Sequence, residues 1–138
     1  MSQIGSVISV IDNSGVKTIK CIKILGGFKP RYAKLGCLVS VVVKQLRSQT
    51  ASGTIIEDTD EEKDDSNLRR GEKLYGLIVQ SKLKPKNLLG FYTFFLSTSV
   101  VLFDANKTLK GTRILGLLPK QLRATRYMRL ITLSSGTC

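Results

Sequence analysis

The chain has 138 residues, 42% of them apolar, with 22 Lys or Arg against 10 Asp or Glu and a net charge of +12. That length suits one ordinary domain with its own core, and the apolar content excludes wholesale disorder. The longest mainly apolar run, Phe91 to Phe103, covers 13 residues and contains Ser and Thr; a membrane helix needs about 18 or more, so a soluble protein is expected.

Taken in order, Ile4 to Ile11 is short, β-branched and apolar, and reads as a strand. It stops at Asp12-Asn13-Ser14-Gly15, four consecutive turn formers. Val16 to Leu25 follows as a second strand, with Lys17, Lys20 and Lys23 interleaved among Ile19, Cys21, Ile22 and Ile24, so one face packs inward and the other presents ammonium groups. Gly26-Gly27 breaks it, and a loop carrying Lys29, Pro30, Arg31 and Lys34 leads to a Val-rich strand, Leu38 to Leu46.

Ser48 to Arg70 is a compositional break, polar and acidic, and is expected to be a long solvated loop or hairpin tip. Strand character returns at Lys73 to Leu83, and Tyr92 to Leu96 and Ser99 to Phe103 add two short strands. Pro119 then opens a helical stretch at its favoured first-turn position, and Arg126 to Ser134 alternates basic and apolar residues. Strands at regular spacing with turns between them predict an all-β fold, a small closed barrel. It occupies a single domain over residues 1–138, with an acidic loop at 48–70 and a short helical segment at 119–138.

The charge is unevenly spread. Seven acids lie between Glu57 and Asp65, leaving Asp12, Glu72 and Asp104; outside that run stand 21 basic residues, the 22 less Lys63, against three acids. A surplus of that density calls for a polyanionic partner. Lys17, Lys20, Lys23, Arg31, Lys34, Lys44 and Arg47 on or beside the early strands, with Arg69, Arg70 and Lys82, are the candidate RNA-phosphate contacts, and Arg113, Lys120, Arg123, Arg126 and Arg129 crowd the C-terminal segment. Arginine supplies planar, bidentate phosphate contacts that suit ordered RNA.

Catalysis is not expected. There is no histidine, which removes the commonest general base and the Ser-His and Cys-His pairs. Cys21, Cys37 and Cys138 are odd in number and lack CxxC spacing, so reduced thiols are expected and neither a metal nor a cofactor is implied. Read as a calcium loop from Asp58, the acidic run has Lys63 where Gly belongs and Arg69 where Glu belongs. Phe91, Tyr92, Phe94, Phe95 and Phe103 lie in strand-like runs and are expected in the core. A free-standing barrel of the OB or cold-shock kind, binding single strands, is the rival reading and needs these aromatics exposed. A metal-dependent nuclease using the acidic run is the third.

Two blocks bear a family likeness. The first is Asp12-Asn13-Ser14-Gly15 with Cys21-Ile22-Lys23-Ile24-Leu25-Gly26-Gly27 and Arg31-Tyr32-Ala33; the second is Gly111-Thr112-Arg113-Ile114-Leu115-Gly116 with Leu122-Arg123 and Met128 to Leu133. In this order and spacing they resemble the universal large-subunit ribosomal protein number fourteen, of bacterial or organellar type. The resemblance implies a five-stranded barrel with a projecting hairpin and short C-terminal helices. It implies a structural constituent of the large subunit that binds its rRNA, touches neighbouring large-subunit proteins, and reaches small-subunit rRNA across the interface. Thr112, Arg113, Lys120, Arg123 and Arg126 are the positions implied for that bridge. The chain departs from the family pattern at Cys37, where an acid is usual, at Gln80, where Arg is usual, in the expanded 48–70 loop, and in the apolar Phe91 to Ser99 stretch. A diverged member whose N-terminus shows no presequence implies an organelle-encoded protein of the mitochondrial matrix, with bacterial cytoplasm or plastid as alternative.

Overall fold

Five strands close into a barrel: β1 (Val7–Val10), β2 (Val16–Ile24), β3 (Leu38–Leu46), β4 (Lys73–Gln80) and β5 (Ser99–Phe103), each hydrogen-bonded to its neighbour in chain order. The computed structural model describes residues 2–28, 30–47, 68–84, 86, 90–124 and 127–138. The consecutive pairs are antiparallel. Closure comes from a short parallel seam between β1 and β5, with Ser9 opposite Ser99 and Val10 opposite Val100. The Ser9 hydroxyl donates to the Thr98 carbonyl at 3.0 Å, and the Ile11 amide donates to the Val100 carbonyl at 3.2 Å. Closure leaves no long unpaired edge on the barrel.

The interior is lined by β-branched residues at alternate positions, among them Ile8, Val10, Ile19, Val39, Val41, Val43, Ile78 and Val100. Such side chains are stiff and suit a pleated, closely packed wall. One position must lack a side chain altogether. A Cβ on Gly76 would lie 2.4 Å from Val100 Cγ1 and 3.6 Å from methyls of Val39 and Val41.

A second core forms outside the barrel. Leu77, Val79, Val101 and Phe103 point outward from β4 and β5 and are covered by Ile114, Leu118, Leu122 and Leu130. The cover consists of β6 (Ile114–Leu118), a 3-10 helix (Lys120–Ala124), α1 (Met128–Leu133) and β7 (Ser134–Thr137), with β6 and β7 paired in parallel. All five residues of β5 are therefore buried, which is why Ser99 to Phe103 shows no inside-outside alternation. Each of Leu118, Leu122 and Leu130, fully buried here, contributes about 1.5–3 kcal/mol by leaving water. Gln80 fastens the cover by donating from Nε2 to the Leu117 carbonyl at 2.9 Å.

Several expectations need correction. The first strand is β1 alone, because Gly5 has φ 87° and Ile4 is exposed. The strand after Lys73 ends at Gln80, short of Leu83. Tyr92 to Leu96 is not a strand; only an isolated bridge joins Tyr92 to Lys86. The aromatics there are not core: Phe91, Tyr92 and Phe94 are 70%, 59% and 54% exposed, and only Phe103 of the named set is buried. Segment 119–138 holds both short helices and also β7. The acidic run at 57–65 lies outside the described residues. No helix among the described residues is long and apolar enough to cross a membrane.

Candidate nucleic-acid interface

The β2 lysines come at every third position, which a regular strand of period two would send to opposite faces. Register shifts against β3 fall between Val16 and Thr18, between Thr18 and Ile19, and between Cys21 and Lys23. Each shift re-phases the strand. Val16, Ile19, Cys21 and Ile24 consequently face the core while Lys17, Lys20 and Lys23 are all exposed.

At one end of the β2–β3 ladder, Lys17 lies beside Gln45 and Leu46, since Val16 pairs with Leu46 and Thr18 with Gln45. Arg70 Nε donates to the Lys44 carbonyl at 3.0 Å, and Arg47 Nη2 donates to the Val10 carbonyl at 2.8 Å. A guanidinium has five N–H donors in a rigid fork. One spent on a backbone carbonyl fixes the plane and leaves the others for an external acceptor. Arg69 is exposed alongside, and its backbone amide donates to Glu72 Oε2 at 3.0 Å.

The Asp12 to Gly15 turn joins this group to the C-terminal segment. Asn13 Oδ1 accepts from the amides of Thr112 at 2.8 Å and Arg113 at 3.1 Å, and Asn13 Nδ2 donates to Thr112 Oγ1 at 2.8 Å. The Asn13 amide in turn donates to the Arg113 carbonyl, and the Arg47 amide donates to the Gly15 carbonyl. The turn is pinned from beneath by Asp12, which is fully buried. Its carboxylate accepts from the Leu102 amide at 2.7 Å and from the amide and hydroxyl of Ser14. A Cβ on Gly111 would stand 2.8 Å from Asp12 Cβ and 2.9 Å from Asn13 Oδ1. The Gly-Thr-Arg sequence thus has a reason at each place: no side chain where the turn presses, a hydroxyl for the Asn13 amide, and an exposed cation beyond.

The remaining predicted residues form separate groups. Lys23 and Arg31 line one open concavity. Lys34 lines another with Lys84, Ser81, Gln121 and Leu122, which places it beside the helix carrying Lys120 and Arg123. Lys82, Lys120 and Arg123 are exposed, and Arg126 lies outside the described residues. The three acids outside the acidic run are occupied internally: Asp12 and Glu72 as above, and Asp104 in an ion pair with Lys110 at 3.3 Å. Among the described residues no group of three potential metal ligands occurs. Sequence reasoning missed Asn13, Asp12 and Gly111 as the residues that hold Arg113. The turn signal was visible, but its partners lie about a hundred positions away.

Fold and surface together define a small closed barrel that displays cations from strands and turns of fixed geometry. The whole chain, residues 1–138, matches the family model described as ribosomal protein L14p/L23e. The large ribosomal subunit protein uL14 of Carsonella ruddii (strain PV) is 31% identical over 135 residues, spanning 98% of each chain. The chain belongs to the L14p/L23e family of ribosomal proteins.

Proposed function

We propose that the protein is a structural constituent of the large ribosomal subunit, without catalytic activity, whose exposed cations neutralise phosphates of folded rRNA. The observation that carries this is the fate of the charges: every described member of the predicted set is exposed, while each described acid already has a partner within the chain. Lys17, Lys20, Lys23, Lys44, Arg47, Arg69 and Arg70, with Arg31, Lys34 and Lys82, serve the large-subunit rRNA. Thr112, Arg113, Lys120 and Arg123, together with Arg126, serve the bridge to small-subunit rRNA. Neighbouring large-subunit proteins take the apolar outer surface.

If some 6–10 phosphates are engaged, affinity falls about 10³–10⁵-fold between 50 and 200 mM salt. The test is co-sedimentation with large subunits across that range, and absence from the particle at low salt overturns the proposal. The departures at Cys37, Gln80 and the 48–70 loop support a diverged particle of the mitochondrial matrix. Recovery of the chain from bacterial cytoplasmic or plastid ribosomes instead overturns that assignment.

A second reading, a free-standing binder of single-stranded RNA, is favoured by the exposure of Phe91, Tyr92 and Phe94. Against it, barrel strands adjoin in simple chain order, unlike the Greek-key OB barrel. Tyr92→Ala with Phe94→Ala decides: loss of all RNA binding by a folded protein favours the second reading.

A further inference from the structure

An open concavity of about 700 Å³ lies where the N-terminus meets the loop after β2, within the roughly 300–1,000 Å³ usual for small-ligand sites. Its chemistry is mixed in a particular way. Ile4, Ile24 and Pro30 supply apolar surface, Phe28 and Tyr32 supply aromatic rings, Lys23 and Arg31 supply cations, and none of the described lining residues is an acid. Phe28 is 92% and Tyr32 42% exposed, so both rings lie at the surface and outside the core.

The backbone around it is held. Ser2 and Ala33 form an antiparallel bridge, with the Ala33 amide donating to the Ser2 carbonyl at 2.8 Å, and the Gly5 amide donates to the Cys21 carbonyl at 2.7 Å. The chain reaches Phe28 through Gly26 and Gly27, whose φ values of 98° and 74° lie in the left-handed region. Only glycine takes that region readily, so the loop's direction is built into the sequence.

The geometry points to a seat for one unpaired nucleotide of RNA, its base stacked on Phe28 or Tyr32 and its phosphates met by Lys23 and Arg31. The rings decide the occupant. An acidic peptide could satisfy the cations but brings no planar group to the rings, whereas a nucleotide brings an anion and a flat aromatic face together. Gln3, also at the rim, offers an amide that pairs with a base edge. The site rests on the RNA-binding reading above and adds to it a specific preference: phosphate contacts alone serve duplex and single strand alike, while this seat serves only a base free of the stack.

The experiment compares the full chain with a Phe28→Ala, Tyr32→Leu double variant. The probes are a short single-stranded RNA containing 2-aminopurine and a duplex RNA of equal length. Wild type is expected to quench 2-aminopurine emission on binding. The double variant is expected to lose the quench and bind the single strand about five- to a hundredfold more weakly, with duplex affinity unchanged. Tyr32→Phe, which keeps the ring, retains both. Lys23→Gln and Arg31→Gln each lower the salt slope by about one. Retained quenching in the double variant overturns the proposal, as does an equal loss for both RNAs. Unaltered RNA binding together with loss of a ribosomal protein from the particle overturns it too, in favour of a protein occupant. If wild type shows no salt-dependent affinity for either RNA, the broader RNA-binding reading fails as well.

Discussion

Gly76→Ala tests how tightly the barrel is wound. The backbone at Gly76 is not among the positive-φ positions, so alanine suits it conformationally. It stabilises by about 0.4–1 kcal/mol through the unfolded chain where no clash intervenes. Here one does, because the new methyl meets Val100 Cγ1 at 2.4 Å in a fully buried site closed by Val39 and Val41. Overpacking of this kind costs about 1–3 kcal/mol, so Gly76→Ala is expected to be a net loss. Val100→Ala removes the obstructing methyl and, by itself, destabilises through lost burial at about 0.8 kcal/mol per methylene plus a cavity. In that background Gly76→Ala should change sign and stabilise. Urea melts of the four proteins at one fixed salt concentration give the coupling directly. Equal effects of Gly76→Ala with and without Val100 refute the steric account of this glycine.

Asn13→Ala removes three hydrogen bonds, two from the Thr112 and Arg113 amides and one to the Thr112 hydroxyl. Since water replaces them in part, the expected loss is about 1–2 kcal/mol in thermal stability, with a larger proportional drop in subunit joining than in large-subunit binding. Gly111→Ala should mimic it by pushing the turn away, and normal joining by both variants rejects the clamp. Arg113→Gln, which leaves the clamp intact, should lower subunit association measured by light scattering while leaving the melting temperature within about a degree; unchanged association rejects Arg113 as a bridge residue. Burial pushes the Cys21 thiol up from its ordinary value, so the folded state keeps a proton that the unfolded chain gives up. Its stability contribution is complete below the ordinary thiol range and is lost as pH rises through the raised value. Cys21→Ala should flatten that alkaline decline, and iodoacetamide should label exposed Cys138 well before Cys21; identical pH slopes or simultaneous labelling contradict this.

The parts of the fold legible in sequence were those with strong local patterns. β3 and β5 begin and end where their Val-rich runs do, and β2 stops one residue short of its expected end. The apolar stretch at Phe91 to Leu96 misled because hydrophobicity reports a capacity for burial, and the cover over β4 and β5 comes from elsewhere. β6 and β7 escaped notice for a different reason. Gly116 interrupts β6 with φ 120°, and Ser134–Thr137 has no apolar residue at all; each is a strand by virtue of the other. At the candidate interface, Lys17, Lys20, Lys23 and Arg113 could be picked out by type and setting. The bulges that bring the three lysines to one side, and the Asn13 clamp on Arg113, depend on partners distant in the chain.

The β1–β5 seam has a bearing on how the molecule comes into being. Ser9 finds Ser99 ninety positions later, so during synthesis at about 5–20 residues per second the first strand waits roughly 5–20 s for its second neighbour. Through that interval the nascent sheet has an open side, the condition under which unfinished chains adhere to one another. Its surplus of lysine and arginine keeps those chains apart before any ribosome claims them.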